Sequence, residues 1–310
     1  MSRDVNRIFK NTKIIYPFRK TLNSTIYILE TDKKKYILKE RPHYTFFHEY
    51  RILNFLREKK FPYVPFLYGI ANFQGKKFIV QEYLEGEELG GNHTLFYSNI
   101  HKIAKIFGKL HSITRRKRAK YIYFLNREMG RLNDCFKMVN ISYNRLSNNN
   151  FDNYFNIIDK YRKLLSVLID KYSRFLDGSF SPSLVNRETE FIITPRGKIY
   201  LLDWEYTEFG DCAIDIASQA YIFNRIDLSR FLDVYKQHKT VCDNIYIRIL
   251  IYLIIILIEE ALYYISDLDC CVLYRKIPPS VVRIMSRTVL DRSMRRIHDV
   301  CGKLNSLKYP

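Results

Sequence analysis

Two carboxylates stand where an apolar segment ends, in a position to bind a cation. Residues 199–202 read Ile-Tyr-Leu-Leu and are followed by Asp203 and, after Trp204, by Glu205. A carboxylate at the point where a buried strand leaves its sheet is well placed to be an oxygen ligand of Mg²⁺. The pattern therefore predicts Asp203 as a magnesium ligand, with Glu205 beside it. The alternative from the residues alone is that Asp203 caps a turn and Glu205 is solvated.

The segment around Asp203 resembles the metal-binding segment of a known enzyme family. Asp203-Trp204-Glu205-Tyr206 is followed by residues 210–217, which read Gly-Asp-Cys-Ala-Ile-Asp-Ile-Ala. This order is similar to the pattern D-[WF]-E-x(n)-G-D-x-x-x-D-[IL]-A of choline kinases and aminoglycoside phosphotransferases. The resemblance extends from about residue 16 to residue 224. It implies a bilobal protein kinase-like fold of the α+β class and ATP-dependent transfer of phosphate, with Mg²⁺, to a hydroxyl of a small molecule.

The resemblance assigns nucleotide binding to the first third of the chain. Lys39 ends a predicted strand, as does the phosphate-holding lysine of kinase-like folds, and Glu49 in the next helix takes the place of its ion-pair partner. The other residues expected to contact ATP are Ser24 and Thr25 in the phosphate-covering loop and Gln81, Tyr83 and Leu84 at the adenine-binding hinge. Residues 21–25 contain no glycine, the residue that lets kinase backbone approach phosphate closely.

The catalytic loop is where this sequence departs from the family pattern. The family carries H-x-D-x-x-x-x-N between a Leu-Val pair and an apolar strand. When the loop is anchored on Leu184-Val185 and Phe191, Asn186 stands at the His, Glu188 at the Asp and Glu190 nearest the Asn, and the loop is about three residues shorter. We therefore predict Glu188 as the catalytic base and Glu190 as a further metal ligand.

Two functional hypotheses follow from this loop. In the first, the protein is an active phosphotransferase: Glu188 and Asp203 are catalytic, and Asp203, Glu190 and Glu205 bind Mg²⁺. In the second, it is an impaired pseudokinase that binds nucleotide or a protein partner. A longer side chain in a shorter loop displaces the carboxylate, and a misplacement near 1 Å can cost about a hundredfold in rate. His111 ends a helix with the family's Leu-His pair and is expected to pack behind the site.

The order of the predicted elements fits two lobes. Strands come first, helices follow, and one hairpin interrupts the helices. Residues 1–86 are expected to form a nucleotide-binding N-lobe, and residues 87–310 a helical C-lobe with the metal-binding hairpin and a substrate cap. Hydrophobic spacing predicts strands at 24–29, 35–39, 67–73, 77–83, 191–194 and 198–202, and helices at 45–59, 95–113 and 151–176.

The formal net charge of +19 indicates a surface that attracts anions. No zinc-finger spacing, RNP-type motif or basic heptad array accompanies the charge, so no dedicated nucleic-acid module is expected. Residues 115–118, Arg-Arg-Lys-Arg, are interpreted as a solvated turn. A protein that binds nucleic acid or an acidic membrane surface is the third alternative.

The C-terminal third is expected to supply a buried helix and the acceptor site. The apolar run at residues 249–258 is shorter than the roughly 20 residues that a membrane span needs, and it is predicted as a buried helix with no transmembrane segment. The charged N-terminus favours the cytoplasm. The sequence does not rank the residues that could bind the acceptor, which are Tyr221, Asp227, Tyr235, Glu259 and Glu260.

Overall fold

The computed structural model describes residues 8, 12–20, 24–114, 139–141, 143–144, 152–176, 182–186, 189–222, 228–241, 244–274 and 279–306. Within these residues a β-rich N-terminal part precedes a mainly helical C-terminal part, as the sequence predicts. The predicted base Glu188, the acceptor candidate Asp227 and the basic run at 115–118 lie outside the described residues.

An antiparallel sheet of five strands, in the order β1-β2-β3-β5-β4, forms the N-terminal part. Its strands are β1 (Thr12–Lys20), β2 (Thr25–Thr31), β3 (Lys35–Glu40), β4 (Leu67–Phe73) and β5 (Lys76–Glu82). One face packs a small apolar core that includes Leu29, Leu38 and Val80. Because successive side chains on a strand point to opposite faces, Lys39 projects away from this core, toward the rest of the molecule.

Strand β1 was not predicted, and the reason lies in its proline. Pro17 has no N–H to donate to a ladder, and a proline inside an apolar run argues against a central strand. The sheet order places β1 at the edge, where it pairs with β2 alone, and the register shifts between Pro17 and Arg19. An edge strand tolerates the missing donor on its open side. The other four strands of this sheet, β2 to β5, were predicted, and their bounds are confirmed to within two residues at each end.

Helix α1 (His43–Glu58) carries Glu49 on its buried face. Phe46, Leu53 and Leu56 are buried, and steps of three and four residues bring them and Glu49 to one side of the helix. The predicted bounds of 45–59 are confirmed to within two residues. The amphipathic pattern thus buries a carboxylate together with the apolar side chains.

The chain passes from the first sheet to the helical part through residues 83–86. Strand β6 (Glu87–Glu88) then pairs with β8 (Glu190–Ile193), and β8 pairs with β9 (Ile199–Leu202). A Cβ added at Gly86 would lie 2.4 Å from the carbonyl oxygen of Ile193. The glycine therefore allows the connection to lie directly against β8.

Besides the sheet of β6, β8 and β9, the described part of the C-terminal lobe contains seven α-helices and a short pair of strands. They are α2 (His93–Ser98), α3 (Ile100–His111), α4 (Asp152–Leu176), β7 (Ser183–Val185), β10 (Glu208–Gly210), α5 (Ala213–Ile222), α6 (Leu228–Lys236), α7 (Ile245–Tyr274) and α8 (Pro279–Ser306). The predicted buried helix at 249–258 is confirmed inside α7. None of the helices in the described ranges combines the length and the apolar character that crossing a bilayer requires.

The single helix predicted at 95–113 is wrong, because the chain breaks at Asn99. Residue Asn99 separates α2 from α3, and its side-chain amide donates a hydrogen bond of 2.9 Å to the carbonyl oxygen of Leu95. Asn92 caps the start of α2 by accepting a hydrogen bond of 2.9 Å from the Leu95 N–H. Asparagine side chains compete with backbone groups for such bonds. The apolar spacing continues through the break and conceals it.

One backbone hydrogen bond ties the connection after α1 to the strand that precedes Asp203. The N–H of Leu201 donates to the carbonyl oxygen of Tyr63 over 2.7 Å. Nearby, the ring of Phe61 meets the ring of Trp204 edge-on, with 6.4 Å between their centroids. The end of β9 is thereby held against the N-terminal lobe, which brings Asp203 beneath β3.

Candidate functional site

Lys39, Glu49 and Asp203 form a continuous set of ion pairs between the lobes. The Nζ of Lys39 lies 3.1 Å from Oε1 of Glu49 and 2.9 Å from Oδ1 of Asp203. Burial opposes the charge of the lysine, but the carboxylates of Asp203 and Glu49 raise its pKa above the ordinary value. The lysine is therefore cationic at neutral pH, held between a helix residue and a residue from the other lobe.

Asp203 has an unusual backbone conformation at the end of β9. Its φ of 53° is in the left-handed region, which aspartate adopts more readily than most residues but which still costs about 1 kcal/mol. Burial would raise the pKa of its carboxyl, yet Lys39 and then Arg41 outweigh burial and lower the pKa to about 2. The side chain is 26% exposed. An ionised carboxylate therefore faces the space between the lobes.

A cavity of about 140 Å³ opens beside this ion-pair set. Its lining includes Gln81, Tyr83 and Leu84, which the sequence assigned to the hinge, together with Lys39 and Asp203. Apolar side chains complete much of the wall, among them Ile26, Ile37, Ile192 and Leu202. Ser24 and Thr25, by contrast, are not part of the lining. The space is suited to a flat, largely apolar ring with a charged group at the end where Lys39 lies.

Tyr83 and Leu84 extend past the last paired residue of the hinge strand. The pairing of β3 with β5 ends where Tyr36 faces Glu82. The next two residues therefore lie beyond the ladder, at the cavity wall. Backbone groups in this position can bind the edge of a ligand ring instead of a neighbouring strand.

The three predicted metal ligands are not equally placed. Asp203 and Glu190 both line the cavity, whereas Glu205 is not in its lining and pairs with Arg41. Glu190 lies 3.4 Å from Nη1 of Arg19, and burial and the negative charge of Asp203 raise its pKa. Among the described residues, no three His, Cys, Asp or Glu side chains converge on a position that could hold a metal. Asp203 fits a hard cation by its ionised oxygens, and further ligands would have to come from elsewhere, such as phosphate or water.

Arg41 is a site residue that the sequence interpretation missed. Its Nη2 lies 3.1 Å from Oδ1 of Asp203, its Nη1 contacts Oε2 of Glu205, and its Nε lies 2.5 Å from Oε2 of Glu49. The last contact is an ion pair without the alignment of a hydrogen bond. Its position two residues after Lys39 was a usable signal, because residues two apart on an extended chain share a face.

A second polar cluster lies behind the start of the catalytic loop. The N–H of Asn186 donates to both carboxylate oxygens of Asp215, over 3.1 and 2.9 Å, and its side-chain amide donates to the carbonyl oxygen of Leu202. The hydroxyl of Thr207 donates to Oδ1 of Asn186 over 2.8 Å. Asn186 is fully buried. The residue at the family's histidine position is thus used to hold the loop, not to contact a ligand in the cavity.

His111 belongs to the same buried cluster. Its Nε2 lies 3.0 Å from Oδ2 of Asp215, and its Nδ1 lies 2.8 Å from the hydroxyl of Tyr235. His111, Asp215 and Tyr235 are all buried. This placement agrees with the expectation that His111 packs behind the site, and it gives Tyr235 the same supporting position.

Two further acceptor candidates meet between α5 and α7. The hydroxyl of Tyr221 contacts Oε1 of Glu260, and the hydroxyl of Ser293 donates to Oε2 of Glu260 over 2.9 Å. The guanidinium of Arg296 lies 5.1 Å from the Tyr221 ring centroid and donates to the Tyr221 carbonyl over 2.8 Å. These side chains hold helices together, and nothing in their arrangement singles out an acceptor.

Comparisons with known proteins show which sequences and folds this chain resembles. Residues 15–133 match the model of a family described as the phosphotransferase enzyme family. A protein named LicA homolog, from Mycoplasma capricolum, is 27% identical over 214 residues, which cover 65% of this chain and 75% of the relative. The resemblance to aminoglycoside phosphotransferases and choline kinases that the sequence predicts is confirmed.

Solved structures share the fold over almost the whole chain. A spectinomycin phosphotransferase, crystallised with ADP and spectinomycin, superposes with a TM-score of 0.63 at 12% identity, covering 93% of each chain. The choline kinase LicA from Streptococcus pneumoniae gives a TM-score of 0.57 at 18% identity, covering 94% of this chain and all of that one. The predicted kinase-like α+β fold is thereby confirmed.

Proposed function

Starting from the resemblance to phosphotransferases, we propose that the protein transfers the terminal phosphate of ATP to a hydroxyl of a small molecule. The observation that carries the proposal is the set of contacts joining Lys39 to Glu49 and Asp203 at one end of the cavity. Such reactions depend almost entirely on positioning and charge neutralisation, which a buried lysine and an ionised carboxylate supply.

The cavity gives each part of a nucleotide a partner. The apolar walls would enclose the adenine ring, and the backbone at Tyr83 and Leu84 would bind its edge. Lys39 would then contact the phosphates, with Glu49 fixing the direction of its ammonium group. Mg²⁺, held by Asp203, would neutralise phosphate charge when bound.

Glu188 is proposed as the residue that accepts the proton of the acceptor hydroxyl. The support is its place in the chain, two residues after Asn186, whose backbone is fixed by Asp215. The hydroxyl oxygen would attack the terminal phosphorus, its proton would go to the carboxylate of Glu188, and the bond from phosphorus to the bridging oxygen of ADP would break.

An amino-alcohol of the choline type is the first acceptor we propose, and an aminoglycoside the second. The relative from Mycoplasma capricolum is named a LicA homolog, and one similar solved structure is the choline kinase LicA, whereas another was crystallised with spectinomycin. Molecules of both classes are cationic and carry an alcohol group, so either could accept phosphate near Asp203. The ranking follows from the names of the relatives.

A transfer assay tests the proposal directly. Purified protein with ATP and Mg²⁺ is offered choline, ethanolamine, spectinomycin and kanamycin separately, and ADP release is followed above the acceptor-free rate. Lys39→Met should reduce the rate by about a hundredfold or more, because it removes the phosphate contact. Lys33→Met, in the exposed turn before β3, is the matched control and should leave the rate unchanged. A folded protein that transfers phosphate to none of the acceptors contradicts the proposal.

The pseudokinase is the alternative function, and three contacts favour it. Glu190 is paired with Arg19, and Arg41 contacts Asp203 and Glu205, so cations of the protein already engage all three predicted metal ligands. Thermal unfolding with ADP and Mg²⁺ separates the cases, since any ligand that binds the folded state raises its stability. Stabilisation without turnover supports the pseudokinase, and the absence of stabilisation removes nucleotide binding from both accounts.

A further inference from the structure

Arg41 occupies the centre of the acidic part of the site. It follows β3 directly and is two residues from Lys39, so both cations project into the same space between the lobes. Its guanidinium contacts three carboxylates, one from α1 and two from the segment after β9, and its side chain is only 3% exposed. A planar guanidinium with several donors can bridge carboxylates in this way, whereas a lysine ammonium acts as a point charge.

The charges of the cluster explain why a cation is required there. Lys39 and Arg41 face the carboxylates of Glu49, Asp203 and Glu205, so the net charge with all groups ionised is −1. Without Arg41 the net charge would be −2, and Glu205 would lose the only cationic partner it has among the described residues. A buried carboxylate left without a partner is strongly unfavourable.

We propose that Arg41 fills a cation position of this site with the protein's own charge, competing with a divalent cation for Asp203 and Glu205. Two consequences follow. The nucleotide-free protein binds a divalent cation weakly at these carboxylates. In addition, nucleotide binding depends less on the metal than it would without Arg41, because the guanidinium already offsets negative charge beside the phosphates. The second consequence rests on the proposed function, whereas the first does not.

The first experiment measures Mn²⁺ binding to nucleotide-free protein by the loss of the free-ion signal in electron paramagnetic resonance. Arg41→Met should bind Mn²⁺ at least about tenfold more tightly than the wild type, a change of about 1.4 kcal/mol. The double variant Arg41→Met/Glu205→Gln restores the net charge of the cluster and should return toward the wild-type affinity. Equal or weaker Mn²⁺ binding by Arg41→Met overturns the proposal.

The second experiment compares the dissociation constant of ADP in Mg²⁺ with that in EDTA. The dissociation constant in EDTA divided by that in Mg²⁺ should be about tenfold larger in Arg41→Met than in the wild type, and should fall again in the double variant. An unchanged ratio overturns the proposal. If wild-type protein binds no ADP in either buffer, the proposed function fails, and the Mn²⁺ measurement still decides the role of Arg41.

Two controls keep the result independent of folding. Arg196→Met removes an exposed arginine from the turn before β9 and should change neither Mn²⁺ nor ADP binding. If Arg41→Met does not fold, Arg41→Lys retains the charge but cannot bridge three carboxylates, and Mn²⁺ affinity should still rise severalfold. Failure of the Arg41→Lys variant to bind Mn²⁺ more tightly would then refute the competition.

Discussion

Two polar clusters, one beside the cavity and one fully buried, differ in how their charges are balanced. The Lys39 cluster contains Lys39, Arg41, Glu49, Asp203 and Glu205 and borders the cavity. The Asp215 network contains His111, Asn186, Thr207, Asp215 and Tyr235 and is closed to solvent. The first cluster joins strands and a helix from both lobes. The second lies within the C-terminal lobe.

This difference distinguishes a cluster suited to binding a ligand, the Lys39 cluster, from one that supports the fold, the Asp215 network. In the Asp215 network, the carboxylate is held in place by the backbone N–H of Asn186 and the Nε2 of His111, while the side chains of Asn186 and His111 bond in turn to Thr207 and Tyr235. In the Lys39 cluster the carboxylates outnumber the cations, and Asp203 is held in a left-handed conformation while facing the cavity. Excess charge and a strained backbone at a cavity are typical of ligand sites. Substitutions in the first cluster should therefore change binding and rate, and those in the second should change folding.

The largest effect is expected for Asp203→Asn. Asparagine also adopts the left-handed conformation, so the backbone is retained while the charge is lost. We expect the transfer rate to fall by about a hundredfold to a thousandfold, because the cation loses its ionised ligand. The measurement is kcat/KM with the best acceptor, with circular dichroism to verify the fold. A rate within a few-fold of the wild type would mean that Asp203 does not bind the metal.

Asp215→Asn should instead destabilise the protein by about 3 kcal/mol, because a buried amide replaces a carboxylate that accepts bonds from Asn186 and His111. Urea unfolding gives the free energy. ADP affinity at low temperature should remain within a few-fold of the wild type. Asp233→Asn, an exposed aspartate on α6, is the matched control. A large loss of ADP affinity with little loss of stability would reverse the distinction between the clusters.

The pH dependence of stability should report the ionisation of Asp203. Its folded pKa of about 2 is below the ordinary 3.8, so its contribution is present above the ordinary pKa and lost as pH falls through the folded one. The shift corresponds to roughly 2 kcal/mol at neutral pH. The difference in unfolding free energy between the wild type and Asp203→Asn should therefore shrink to roughly half by pH 3. A difference that does not change from pH 7 to pH 3 would contradict the ion pairing.

The smallest effect is expected for Arg19→Gln. Arg19 and Glu190 both line the cavity and form an ion pair over 3.4 Å, but both side chains are more than one-third exposed. Exposed ion pairs contribute about 1 kcal/mol or less, and salt screens them. Urea unfolding at low and high salt should differ more for the wild type than for the variant. If Arg19→Gln lowered the free energy of unfolding by well above about 2 kcal/mol, Arg19 would have to be counted with the Lys39 cluster instead.

The sequence predicted those parts of the fold and site that depend on local pattern. Alternation and helical spacing identified α1, four strands of the first sheet and the buried helix within α7. The resemblance to a known family, in which Lys39, Glu49 and Asp203 follow the expected order, implied that these three side chains meet, and the structure brings them within contact distance.

The remaining features depend on tertiary context. Strand β1 contains Pro17, whose cost depends on whether the strand lies at an edge, and the break at Asn99 depends on a side chain bonding to its own helix. Arg41 was not singled out, because the chain alone does not show that Glu205 will lie opposite it. Likewise, Asn186 could be aligned with the family's histidine, but its burial could not be read from its type.

The hydrogen bond from Leu201 to Tyr63 has a consequence for any movement that accompanies ligand binding. It fastens the connection after α1 to the strand that leads into Asp203, whereas Lys39 and Arg19 of the sheet contact the C-terminal lobe through side-chain ion pairs with Asp203 and Glu190. If the two lobes close on a bound ligand, we therefore expect α1 to move with the C-terminal lobe and the five-stranded sheet to rotate relative to both. A ligand-bound crystal structure would measure this as a larger change in the separation of Lys39 from Asp203 than of Glu49 from Asp203.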